Sequence, residues 1–272
     1  MNLRFRGVRG SLPTPQADRL RYGGNTTCLE ISSSAIDEPV LIDCGSGARD
    51  LGIELMARNR SLRIHVLLTH FHWDHIQGIP YFAPLFAGGM EVVFYACLPL
   101  AEIRGSLELQ MGSPFFPLPL SEVDAKVEFR EIEHGQSFQA GGIDVSCFPL
   151  NHPQGGAGYR LESSAATLVH VCDHEHGNAE IDAAVRAAAQ GASLLVMDAQ
   201  YTPEEYVQKA GWGHSTYAHA AEVAHAAGVR RLALFHHDPV HNDVFLDAME
   251  ESARRLFAAL QMAREGETIE LV

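Results

Sequence analysis

The segment Thr69-His70-Phe71-His72-Trp73-Asp74-His75 packs three imidazoles and a carboxylate into six residues. This composition would give His-x-His-x-Asp-His by chance roughly 0.002 times in a chain of this length, so the pattern is specific. Imidazole and carboxylate together hold zinc and its first-row neighbours. In extended chain His70 and His72, two apart, project to the same side. Asp74 and His75 follow as the chain turns toward Gly78. Such a loop offers its first pair to one ion and its second pair to another, and the remaining ligands must come from other strand ends. Three candidates occur in order. His152 stands in Leu-Asn-His-Pro after 143–149, Asp173 in Val-Cys-Asp-His-Glu after 166–172, and His236 in Leu-Phe-His-His-Asp-Pro after 230–235. Any one alone reads as a surface or capping residue; beside the histidine cluster, each polar residue at the mouth of an apolar run gains weight as a ligand.

The elements that must position these groups are mostly short and apolar. Strand-like runs occupy 3–8, 27–32, 39–43, 63–69, 91–97, 126–132, 143–149, 157–162, 166–172, 193–198, 230–235 and 268–272. Helical patterns occupy about 46–59, 99–111, 178–190, 203–209, 215–227 and 242–264, the fifth starting at Ser215 or Thr216 and stopping at Gly228. The Pro-rich, apolar stretch 112–121 reads as a docked irregular loop. Two stacked sheets with helices outside satisfy this order, as one domain over 1–272.

With 20 basic against 34 acidic residues, the net charge of −14 opposes a long polyanion, whose binding rests on Lys and Arg contacts. A small anionic substrate remains compatible if bound metals supply local positive charge. No apolar run approaches the length of a membrane span, and the N-terminal stretch has no apolar core of a secretory leader. Five scattered cysteines read as buried free thiols, which fits a reducing cytoplasm. Phe115, Phe116 and the nearby prolines offer an apolar patch for a homodimer.

With its histidine cluster and the three later ligand candidates, the chain from Gly7 to Pro239 resembles the metallo-β-lactamase-fold hydrolase superfamily. The resemblance implies a four-layer αββα sandwich, an α/β fold of two mixed sheets flanked by helices. It assigns His70, His72 and His152 to one ion, Asp74, His75 and His236 to the second, and Asp173 to the bridge between them. Leu-Ile-Asp-Cys-Gly-Ser-Gly over 41–47 is similar to the family's strand-turn segment, where Asp43 would orient a ligand histidine.

Gly213-His214-Ser215-Thr216, followed by an Ala-rich helix, resembles the RNase Z and cyclic-phosphate phosphodiesterase branch. There the histidine sits beside the scissile phosphate, so His214 joins Asp74 as a catalytic candidate. The last ligand motif, Phe-His-His-Asp-Pro, departs from the Thr-His-x-Ser of RNase Z, and no long basic, Gly/Pro-rich arm for tRNA is evident. Asn25, Ser215 and His237 are candidates for substrate contact or for support of the ligands, and Asn25 reads equally as a turn residue after Gly23-Gly24. His174 and His176 read as a solvated loop. The expected activity is hydrolysis of a small cyclic nucleotide or cyclic phosphate diester by two divalent ions, zinc by default, with manganese or iron also suited to such donors. A lactonase- or thioesterase-type carbonyl hydrolase and an RNase Z-like nuclease are the alternatives.

Overall fold

The computed structural model describes residues 1–33 and 36–271. The last residue of the expected strand 268–272, Val272, lies outside them. The first sheet takes β1 (Asn2–Gly7), β2 (Cys28–Ser33), β3 (Ile36–Ile42), β4 (Arg63–Leu67), β5 (Glu91–Ala96) and β6 (Lys126–Glu131). The second takes β7 (Ser137–Ala140), β8 (Ile143–Leu150), β9 (Gly156–Glu162), β10 (Thr167–Val171), β11 (Leu194–Asp198), β12 (Leu232–Phe235) and β13 (Leu260–Met262). β14 (Thr268–Glu270) returns to the first sheet beside β1. Seven strands thus run β14-β1-β2-β3-β4-β5-β6 in one sheet and β13-β12-β11-β10-β9-β8-β7 in the other.

Both sheets are mixed. β3 to β6 pair in parallel, as do β10 to β13, while the flanking strands are antiparallel. The inner parallel strands are largely apolar on both faces because both faces are covered, and β11 and β12 are buried throughout, whereas the edge strand β6 is charged and partly exposed. Between the sheets lie Phe5, Ile31, Leu67, Val145, Leu168 and Phe235, with the Phe5 and Phe235 rings stacked at 6.0 Å. Outside the first sheet pack α1 (Ala48–Met56), the short α2 (Trp73–Ile76) and α3 (Leu100–Gln110). Outside the second pack α4 (Ala179–Ala189), α6 (Tyr217–Ala226) and α7 (Asp243–Leu256), while the four-residue α5 (Pro203–Tyr206) lies in the connection from β11 to α6 with no buried residue. These are the four layers of the expected αββα sandwich. Among the described residues no helix is long and apolar enough to cross a membrane.

Two elements depart from the sequence reading. The helix expected over 242–264 stops at Leu256, and 260–262 instead pairs in parallel with β12. Phe257 leaves the helix with extended backbone, so sheet pairing overrides the helical propensity of the Ala- and Leu-containing stretch that follows. β7, four residues bounded by glycines, was too short to carry a period of its own. In the 112–121 stretch Phe115 is exposed, whereas Phe116 turns inward against Tyr81 and Phe86. All five cysteines are free thiols.

Candidate metal centre

The carboxyl ends of the parallel strands of both sheets open at one edge of the sandwich, where open α/β sheets place their ligands. Asp43 follows β3, Thr69 and His70 follow β4, Asp173 follows β10, Asp198 ends β11 and Gln200 follows it, and His236 follows β12. Asp43, Asp173 and His236 each adopt φ near +60°, a left-handed bend that swings the side chain across the strand end instead of along the sheet face.

Asp173 lies at the centre. Its Oδ2 stands 3.6 Å from Nε2 of His70 and 3.6 Å from Nε2 of His152. Its Oδ1 stands 3.4 Å from Nε2 of His75 and 3.1 Å from Nε2 of His236. His72 joins the first group through Nδ1, 3.0 Å from His152 Nε2. Asp74 joins the second through Oδ2, 3.4 Å from His75 Nε2 and 3.2 Å from His236 Nε2. The seven residues assigned by the resemblance are therefore brought together as two groups sharing one carboxylate.

The donor set fits two ions. Ligand atoms about 2.0–2.1 Å from a tetrahedral zinc lie ~3.3 Å apart, close to the spacings here. Nε2 of His70 and Nε2 of His75 are buried without any hydrogen-bond partner, which native interiors tolerate rarely. Burial holds His70 well below the usual imidazole range, so it presents a neutral nitrogen. Burial also opposes charge on His75, but the carboxylates of Asp74, Asp173 and Asp43 outweigh it and raise that imidazole well above its usual range. Asp173 is buried too, yet His236 and His75 hold it ionised. A divalent ion among these groups would take the place of the His75 proton, so that uptake would release protons.

The opposite nitrogen of each ring is fixed by a neighbour. His75 Nδ1 donates to Asp43 Oδ2 at 2.8 Å, and Asp43 Oδ1 accepts from the Thr69 backbone N–H at 2.8 Å. His70 Nδ1 meets Thr69 Oγ1 at 3.0 Å, His236 Nδ1 meets Gln200 Oε1 at 3.0 Å, and His72 Nε2 meets Gln154 Oε1 at 3.1 Å. His152 Nδ1 donates to the Gly213 carbonyl at 2.9 Å. Gly213 has φ of +88°, and a Cβ there would stand 2.2 Å from that same Nδ1, so only glycine allows the carbonyl this approach. Such partners fix ring orientation and raise ligand basicity. For Asp43→Asn we expect metal affinity to fall about 10–100-fold, read by competition with a chelator; unchanged affinity would leave Asp43 with a folding role alone.

His214 borders the second group. Its Nδ1 donates to Asp198 Oδ2 at 2.8 Å, its ring stacks on His236 at 5.0 Å, and it shares a donor cluster with Asp173. Burial opposes its charge, but Asp198 and Asp173 raise it to about 9. Glu175 fixes the loop before it, accepting from the Gly211 and Gly213 N–H groups and from Tyr206.

Three expected support or substrate residues sit elsewhere. His237 is buried and turned away, its Nε2 bonded to the Ala263 carbonyl at 2.8 Å. The left-handed bend at His236 turns the chain, and His237 then forms a β-bridge with Arg9. Asn25 braces a turn through Glu265 and Ser46. Ser215 is fully buried and donates to the His174 carbonyl, while Thr216 caps α6. His174, expected to be solvated, is fully buried and paired with Asp182. Asp198, Gln200, Thr69 and Gln154 escaped the sequence reading. Asp198 and Gln200 carried the same signal as Asp173, a polar residue at the mouth of an apolar strand, in Val-Met-Asp-Ala-Gln.

With this geometry in hand, comparison with known proteins defines the class. The family model of the beta-lactamase superfamily domain matches residues 39–237. The chain belongs to that superfamily and is a metallo-β-lactamase-fold hydrolase, a family whose fold implies divalent metal ions. Among its relatives, ribonuclease Z of Gemmatimonas aurantiaca is 42% identical over 99% of this chain and 95% of its own. In structure it is similar to the metallo-β-lactamase fold protein YhfI of Bacillus subtilis, with a TM-score of 0.76, 20% identity and 98% of each chain covered. It is also similar to a diphosphatase of the PhnP family, with a TM-score of 0.70, 19% identity, and 100% of this chain and 98% of that one covered.

Proposed function

We propose that the chain is a metal-dependent phosphodiesterase that hydrolyses a small cyclic nucleotide or cyclic phosphate diester, with His70, His72 and His152 at one ion, Asp74, His75 and His236 at the other, and Asp173 between. The observation that carries this reading is His214, a cationic imidazole held by Asp198 against the second ligand group. A fixed cation there suits a substrate that is anionic and has a poor leaving group. Divalent ions at the site supply Lewis acidity toward phosphoryl oxygens and lower the pKa of water. The chain's own groups do the rest. Asp173 and Asp74 balance the charge of the ions, and Asp43, Gln200 and the Gly213 carbonyl hold the rings in place. His214 binds a phosphoryl oxygen or delivers the proton of Nε2 to the departing alkoxide, with Asp198 stabilising the protonated ring. A cavity of about 380 Å³ adjoins His70 and His72, a size that takes a mononucleotide.

The name of the relatives favours a second reading, an RNA-processing nuclease, and speaks against excluding a long nucleic acid on charge alone. A parallel assay of the metal-replete protein separates the readings, using cyclic nucleotides, cyclic phosphates, bis-p-nitrophenyl phosphate, a lactone panel and a 3′-extended RNA. We expect the cyclic diesters to lead the lactones by at least about a hundredfold in kcat/KM. Faster turnover of lactones overturns the phosphodiesterase reading, and preferred cleavage of the RNA replaces the small substrate with the nuclease.

A further inference from the structure

Two more groups of donor atoms converge away from the centre. His174 and Asp182 are buried and His219 is half-buried, between α4 and α6. The Asn151 N–H donates to His174 Nδ1 at 3.2 Å, so the neutral ring carries its proton on Nε2, the atom facing Asp182 Oδ1 at 3.2 Å. A cation on Nε2 would require an imidazolate, and the group is better read as a proton-sharing pair.

In the other group the thiol of Cys147 donates to the Glu133 carbonyl at 2.8 Å, and an ion would displace that proton without requiring an imidazolate. Cys97 follows β5 of the first sheet, Cys147 lies in β8 of the second, and His134 sits in the turn between β6 and β7. One donor atom from each lies within 4.8 Å of the others, and the two sulfurs are 3.6 Å apart. Sulfurs about 2.3 Å from a tetrahedral zinc are ~3.8 Å apart, so the pair is spaced for a shared ion. His134, a third donor beside both sulfurs, has no part in a simple dithiol. Cys97 and His134 line the same cavity as His70 and His72, while Cys147 stands behind them, almost fully buried. Hydrogen bonding from Cys97, with a smaller contribution from His134, lowers Cys147 to about 5 against burial.

We propose that Cys97, Cys147 and His134 form a second, thiolate-bearing metal site that takes Zn²⁺ and leaves a fourth position open to the cavity. The ion displaces one proton from each thiol and accepts the lone pair of neutral His134, so the complex is electrically neutral where it is half-buried. Thiolate donors set this site apart from the oxygen- and nitrogen-rich centre opposite and favour zinc over manganese or magnesium. An ion here clips the end of β5 to β8 and gives the far wall of the cavity a Lewis-acidic point. The assignment is independent of which substrate the main centre hydrolyses.

Cobalt(II) tests it, because thiolate ligands give a charge-transfer band in the near ultraviolet. In the reduced, metal-free protein we expect Co²⁺, added until uptake is complete, to develop that band to the intensity of one thiolate-bound ion per chain, with the two thiols losing their protons. Cys97→Ser and Cys147→Ser abolish the band. His134→Ala, an exposed substitution that spares the fold, weakens binding at least about tenfold. Cys172→Ser and His236→Ala keep the band, separating this site from the main one. Absence of the band overturns the proposal, as does its survival in Cys97→Ser. A reduced protein that takes up no cobalt, yet loses both thiols together to hydrogen peroxide, marks the pair as a redox couple and overturns it too.

Discussion

Asp173→Ala is expected to leave purification with fewer than two ions per chain and to hydrolyse its diester at least about a thousandfold more slowly. Asp173 faces four imidazole nitrogens at 3.1–3.6 Å, two from each ligand group. Removing it would deprive both ions of a donor and leave His75 and His236 with Asp74 as their one shared carboxylate. Metal ions contribute several kcal/mol of charge stabilisation in the transition state, and each 1.36 kcal/mol is tenfold in rate. Metal analysis beside a steady-state assay checks this. Full activity with two ions in the variant would refute a bridging carboxylate at this position.

His214→Ala separates chemistry from metal binding. We expect unchanged metal content and a kcat about 10²–10⁴-fold lower on an alkyl diester, the usual span for general acid catalysis. With bis-p-nitrophenyl phosphate the loss should be much smaller, because a nitrophenolate departs without a proton. An equal loss on both substrates would make His214 a phosphate-binding group instead. The pH profile adds a sign. Burial disfavours the cation, but Asp198 and then Asp173 raise His214 to about 9 without metal; with Asp173 engaged by ions, Asp198 is the carboxylate that holds the acid form, which is lost as pH rises through the raised pKa. Asp198→Asn removes the stronger of those two carboxylates and should bring the alkaline limb to lower pH, while a metal-only effect would leave the limb in place.

Much of this was legible in the chain because ligand chemistry is dense and local. His70 to His75 sit within six residues, and the family resemblance tied them to three distant strand ends that the fold does bring together. Strands buried on both faces were equally plain, since β10 to β12 are mostly apolar runs. What escaped depended on contacts between distant segments. Whether 260–262 continues a helix or joins β12 is decided by an open sheet edge, not by its own residues. Gln200 and Asp198 have meaning only beside His236 and His214, 36 and 16 residues away. His237 is next to His236 in sequence, but the left-handed bend at His236 separates the two rings, and His237 bonds to the Ala263 carbonyl instead.

The left-handed backbone at Asp43, Asp173 and His236 sets this centre against the stability of its own scaffold. Each bend costs up to about 1–3 kcal/mol, and four buried carboxylates, Asp43, Asp74, Asp173 and Asp198, crowd the same strand ends. In the metal-free chain, glycine at 173 would relax the backbone and remove one of those charges together. Screens for thermal tolerance without metal should therefore enrich substitutions that disarm the protein, whereas the same screen with metal present should purge them, because the ions repay the folded state through the very groups that burden it.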